Sequence, residues 1–205
     1  ENNGHAMAPY MMSVALWVGC IAFSLMYPLT KYSGKLKSGL AWWGSKASVL
    51  YLIALLQAAV MIFMLHLCDG FEPVEMGKTL AVACLASVAF MSVMYFFTNT
   101  FGKVGSFLML VFMVIQLAGS VGTYPLELSG SFVPYLHDWV PFTYTVEAFR
   151  STISGGESIQ EAVIFLTVLW IVFTLLTILE FQIRTLKMKR GKRTLDNWLE
   201  EKGLA

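Results

Sequence analysis

Five long apolar runs constrain this chain more than any other feature. They are Tyr10–Tyr27, Ala47–Leu67, a run within Gly77–Asn99 (about 79–99), Val104–Val121 and Glu161–Ile183. Each is of the length, roughly 17–25 residues, that a helix needs to cross a bilayer. Tyr10–Tyr27, at ~1.5 Å per residue, covers about 27 Å, close to the hydrocarbon thickness. Composition agrees. Hydrophobic residues make up 57% and charged residues 13%, with a mean hydropathy of +0.67, against ~45–50% and ~25% in ordinary soluble domains. The fold class that follows is all-α: a polytopic membrane bundle, with the bilayer itself as its first partner. The third run is dense in small residues (Ala81, Ala83, Ala86, Ser87, Ala89, Ser92). Small residues let helices approach closely in lipid, so this run is expected at the centre.

The segments between the runs set the topology. Leu29–Lys46 carries Lys31, Lys35, Lys37 and Lys46, no acid, and the aromatics Trp42 and Trp43. It reads as an interfacial segment on an anionic membrane face, with those six residues as its lipid or partner contacts. Asp69–Glu75 is a short acidic loop and Thr100–Lys103 a tight one. Arg184–Ala205 is a basic, then mixed, tail; its first part suits lipid anchoring better than nucleic acid, because it abuts a span. With five spans, one side carries Lys31, Lys35, Lys37, Lys46, Lys103, Arg184, Lys187, Lys189, Arg190, Lys192, Arg193 and Lys202, twelve of the fourteen basic residues. The other side carries Lys78 and Arg150. Positive charge stays on the cytoplasmic side, so Glu1 is expected outside and Ala205 in the cytoplasm. The chain opens on Glu1 rather than Met and is read as part of a longer protein.

Between the fourth and fifth runs lies GTYPLELSGSFVPYLHDWVPFTYTVEAFR, Gly122–Arg150. Three prolines (Pro125, Pro134, Pro141) and the acids Glu127 and Asp138 make it too broken and too polar to span. Lipid tolerates irregular backbone only where protein or water satisfies its polar groups. The stretch should therefore fold over, or dip into, the outer end of the bundle, as a re-entrant hairpin within about 122–158 that ends in a helix over Phe142–Thr152. The aromatics around Pro141 (Trp139, Phe142, Tyr144, Phe149) suit a membrane interface.

Few side chains suggest chemistry. Gln57 and Gln116 lie within spans, where an interhelical hydrogen bond outweighs a role in a substrate path. Glu147 and Arg150, spaced i,i+3, can pair on one face of the external helix, and Glu180 can pair with Arg184. His66, Cys68 and Asp69 sit close together, but His-x-Cys is not a zinc pattern. His5, His66 and His137 read as loop or interface histidines. The three cysteines, Cys20, Cys68 and Cys84, form no close-spaced motif. No metal, cofactor or catalytic constellation is expected, so the chain is not read as an enzyme.

Two stretches resemble known families. Glu1–Gly19, ENNGHAMAPYMMSVALWVG, is similar to the point where the external region of YhgE/Pip (phage infection protein) family members re-enters the membrane. Gly122–Arg150 resembles the external re-entrant signature of ABC type-2 exporter membrane domains. Its recurring residues are Tyr124, Pro125, Glu127, Pro141, Thr143, Tyr144 and Arg150 here, with Glu147 on the same helix. The resemblance implies six helices in the whole domain, of which these would be the second to sixth. It also implies a homodimeric arrangement and a separate ATPase subunit, touching Leu29–Lys46. The sequence has no GxxxxGK[ST] loop of its own. Two functions follow from the resemblance: export or secretion across a bacterial plasma membrane, or a non-transporting anchor for an external receptor used by phage or by a type VII-like secretion system.

Overall fold

The computed structural model describes residues 3–27, 39–119, 137–156, 158–189 and 201–203. Among them six helices account for nearly all of the regular structure, and no strand occurs. They are α1 (Asn3–Met26), α2 (Gly39–Asp69), α3 (Met76–Phe101), α4 (Lys103–Gly119), α5 (Pro141–Ser154) and α6 (Gln160–Lys189). Four contain stretches long and apolar enough to cross a membrane: Met7–Met26, Trp43–Cys68, Met76–Phe101 and Gln160–Lys187. The fourth apolar run yields the shorter α4, 17 residues or about 26 Å of rise. Its last two expected residues, Ser120 and Val121, lie outside the described residues. Lys31, Lys35, Lys37, Tyr124, Pro125 and Glu127 lie outside them too. α2 runs unbroken for 31 residues, about 46 Å. The end of the expected interfacial segment, from Gly39 onward, is thus one rod with the apolar run behind it.

α3 is the hub and packs against each of the other five helices. Ala83, Ala86, Ser87, Ala89 and Ser92 are all buried, whereas Ala81 faces outward. Their small side chains admit the neighbouring backbones, and their hydroxyls are used. Ser87 Oγ donates to the Ala54 carbonyl of α2 at 2.6 Å. Tyr51 Oη lies 3.2 Å from Ser92 Oγ and 3.0 Å from Thr174 Oγ1, and it accepts from Trp170 Nε1 at 3.3 Å. One phenol on α2 therefore joins α3 and α6. In lipid, where apolar surface supplies little drive between helices, such packing and polar contacts hold the bundle together. The outward faces are apolar: Leu52, Leu56 and Phe63 on α2, Phe107 and Val114 on α4, and Leu175 and Leu179 on α6 are exposed. Their solvent is the bilayer.

A single residue separates α3 from α4. Gly102 adopts φ +62° and its N–H donates to the Thr98 carbonyl at 2.8 Å. Gly105, one turn on, lies so close to the Phe97 carbonyl that a side chain there would overlap backbone. Two glycines thus permit the sharp reversal.

Candidate functional site

α5 packs against α1, α3, α4 and α6 at one end of the bundle. Pro141 opens it at a position where the missing N–H costs nothing. The next orphan donor, the Phe142 N–H, is accepted by Gln116 Oε1 of α4 at 3.1 Å. A side chain from a neighbouring helix therefore does the work of an N-cap. Ten of the fourteen α5 residues are buried. The buried hydroxyls turn inward on backbone: Thr145 donates to Pro141 O and Thr152 to Phe149 O. At its far end Gly155 takes φ +77°, and the last carbonyls, Thr152 O and Ile153 O, accept the N–H groups of Glu75 and Val74 at 3.0 Å each. The loop between α2 and α3 is thereby stapled to the end of α5.

The ring of Phe142 enters an aromatic nest. Trp17 of α1 lies edge-on to Phe90, Phe112 and Phe142 with centroids 5.0, 5.6 and 5.6 Å away, and its indole N–H donates to Met109 O at 3.2 Å. This corrects the interfacial reading of the aromatics around Pro141. Phe142 and Phe149 are fully buried, and Tyr144 stacks on Phe165 of α6 at 3.8 Å between centroids. Of the four, Trp139 is the one left exposed, at 79%. The reason is helical spacing: Phe142, Val146, Phe149 and Ile153 recur at three and four residues and share the inward face.

The Thr-Tyr pair has a geometric role. Thr143 Oγ1 donates to His137 O at 2.6 Å, and Tyr144 Oη donates to Asp138 O at 2.9 Å. Both hydroxyls clasp the turn that leads into α5. Burial raises the pKa of the Tyr144 phenol, and the carboxylates of Glu161, Asp138 and Glu147 push it in the same direction. His137 has more partners than a loop histidine. Its Nδ1 donates to Gly119 O, at the C-terminal end of α4, at 3.0 Å, and its Nε2 lies 3.8 Å from Glu147 Oε1. No sequence signal marks that link, because Gly119 lies eighteen residues upstream. An ion pair between Glu147 and Arg150 is absent among the described residues. Both side chains are exposed and line a polar cleft of about 340 Å³ with Ser158 and Glu161.

Gln57 fastens the middle of the bundle. Its Nε2 donates to Ser87 Oγ at 2.7 Å, with Leu16 O at 3.4 Å and Cys20 Sγ at 3.5 Å. A Cβ at Gly19 would overlap the Gln57 side-chain oxygen, so glycine makes room for this knot. At the opposite end Lys46 Nζ stands 5.1 Å over the Tyr27 ring, a cation–π contact between α2 and the end of α1. Trp43 packs half-buried against the core. Trp42 lies in α2, with its side chain outside the described set. Arg184, read from sequence as part of a basic tail, is buried; it donates to Asn99 O of α3 and lies 3.9 Å from Glu180 Oε1. The i+4 spacing from Glu180 was its one legible signal. His66 Nδ1 donates to Phe71 O at 2.9 Å.

These features converge on a short helix held inside one end of a helical bundle. The sequence profile of the ABC-2 family transporter proteins matches residues 3–179. The chain is 33% identical over 156 residues to the uncharacterized protein YhgE of Bacillus subtilis (strain 168), a match that covers 76% of this chain and 20% of YhgE. The chain thus spans about a fifth of the length of that relative. No solved structure matches it. The chain belongs to the ABC-2 transporter family, as a multi-pass, YhgE-like membrane domain.

Proposed function

We propose that this domain is the membrane part of a bacterial plasma-membrane protein that works in export or secretion, with α5 closing the extracytoplasmic mouth of the path. The burial of α5 inside the bundle end, capped by Gln116, carries this reading. A helix too short to span, with its first free N–H satisfied by another helix, is a plug seated in protein, as irregular backbone at membrane depth must be.

The orientation rests on the lysine bias, which puts α5 outside and the basic loops in the cytoplasm. Two copies form the path, and a separate ATPase docks on the Leu29–Lys46 segment through Lys31, Lys35, Lys37, Trp42, Trp43 and Lys46. Tyr124, Pro125 and Glu127 complete the external hairpin with Pro141, Thr143, Tyr144, Glu147 and Arg150. The test is co-purification of the full-length protein from its native membrane. An ATPase that is recovered with the wild type, and lost when Lys31, Lys35 and Lys37 are changed to Glu, supports export. Phage adsorption or secretion that survives the same charge reversal, with no ATPase recovered, supports the anchor reading instead.

A further inference from the structure

On the outer wall of the bundle, near α5, the end of α2 and the start of α3 border a groove of about 810 Å³. That volume lies within the ~300–1,000 Å³ range of small-molecule sites. Its wall is apolar: Val60, Phe63 and Leu80 are exposed and Met76 is half-buried. These residues belong to the membrane-crossing stretches Trp43–Cys68 and Met76–Phe101, so the groove runs from head-group level down into the hydrocarbon. The loop above it is fixed from both sides. Phe71 is buried and its N–H donates to Leu65 O, while Val74 and Glu75 are bonded to the end of α5.

The rim of this groove offers acceptors. A carbonyl only accepts, so the 2.9 Å contact between His66 Nδ1 and Phe71 O places the proton on Nδ1. In the neutral ring Nε2 is then left with its lone pair. Glu72 is exposed and makes no ion pair among the described residues, whereas its neighbour Glu75 is taken by Lys78 at 2.8 Å. Pro73 supplies no N–H. A carboxylate and an imidazole lone pair above an apolar wall select a ligand with an acyl tail and a cationic, hydrogen-donating head. They disfavour a head group of net negative charge. We propose that this groove binds an amine-headed bilayer phospholipid, with its ammonium at Glu72 and His66 and its acyl chain along Val60, Phe63 and Leu80.

The test is native mass spectrometry of the full-length detergent-solubilised protein, titrated with phosphatidylethanolamine or with phosphatidylglycerol of the same chains. The amine lipid should be retained about tenfold more tightly, the size of one charge-assisted hydrogen bond. Glu72→Gln, a change on an exposed loop, should abolish that preference, weakening phosphatidylethanolamine retention and easing that of phosphatidylglycerol. Ala59→Trp, at an exposed position of the same wall, should reduce the retention of phosphatidylethanolamine. Equal retention of the two lipids by the wild type, or a preference that survives Glu72→Gln, would overturn the proposal. So would high-yield crosslinking of a single cysteine at Val60 to a second copy in membranes, because the groove would then be an interface between copies.

Discussion

At the residue scale, polar side chains inside this bundle act as fasteners between helices. Gln57 fills the space that Gly19 leaves open and reaches Ser87 of α3. Gly19→Ala therefore places a methyl against the carboxamide and should cost about 1–3 kcal/mol of stability, the usual range for overpacking. Gln57→Ala removes the obstacle, so the double variant should be more stable than the sum of the two single changes predicts. Thermal unfolding of the four proteins in detergent gives the coupling; strict additivity would refute the contact. Tyr144 provides a pH test. Burial and three nearby carboxylates raise its folded pKa, so the neutral phenol is favoured in the fold. Its contribution to stability is complete below the ordinary value of about 10 and is lost as pH rises through the raised one. The phenolate absorbance lost on Tyr144→Phe should have its midpoint above pH 10; a midpoint at or below that value would contradict the assigned surroundings. The glutamines were legible in the sequence as polar atoms in apolar runs. Their partners were not, since Leu16, Ser87 and Phe142 come from other helices and only packing brings them close.

At the scale of the element, α5 divides its aromatics by helical face. Phe142 and Phe149 point into the bundle and Trp139 does not. Truncating a buried phenylalanine leaves a cavity. In lipid the transfer part of that cost falls away and the lost dispersion contacts remain. Phe142→Ala and Phe149→Ala should each destabilise by about 2–4 kcal/mol, and Trp139→Ala by less than about 0.5 kcal/mol. Equal effects in a chemical-denaturation series would mean that α5 does not enter the bundle. The short helix and its proline start were readable from Pro141 onward. Its inward face was readable too, from the three- and four-residue spacing of Phe142, Val146, Phe149 and Ile153, but aromatic-belt logic pointed to an interface instead. The clasp by Thr143 and Tyr144 escaped sequence reasoning for another reason. Their acceptors are backbone carbonyls of His137 and Asp138, and backbone carries no residue-type signal.

At the scale of the whole molecule, α3 organises everything else. Its small residues announced a central position, and burial of all but Ala81 among the six singled out matches the hub seen in the fold. Membrane character was legible because the apolar faces of α2, α4 and α6 are exposed among the described residues and come from the long apolar runs. Arg184 shows where that legibility stops: in sequence it continues a basic tail, while in the fold it turns back to the Asn99 carbonyl. The central claim is that α5 seals the extracytoplasmic end and the basic segments face the cytoplasm. Cysteine accessibility tests it most directly. Cys20, Cys68 and Cys84 are first replaced by serine, since Cys68 is exposed and would itself react. Single cysteines are then placed at Ser158, beside the α5–α6 turn, and at Lys202, in the tail. In intact cells a membrane-impermeant maleimide should label the Ser158 position at once and the Lys202 position only after permeabilisation. Labelling at Lys202 with silence at Ser158 would invert the domain and contradict the account.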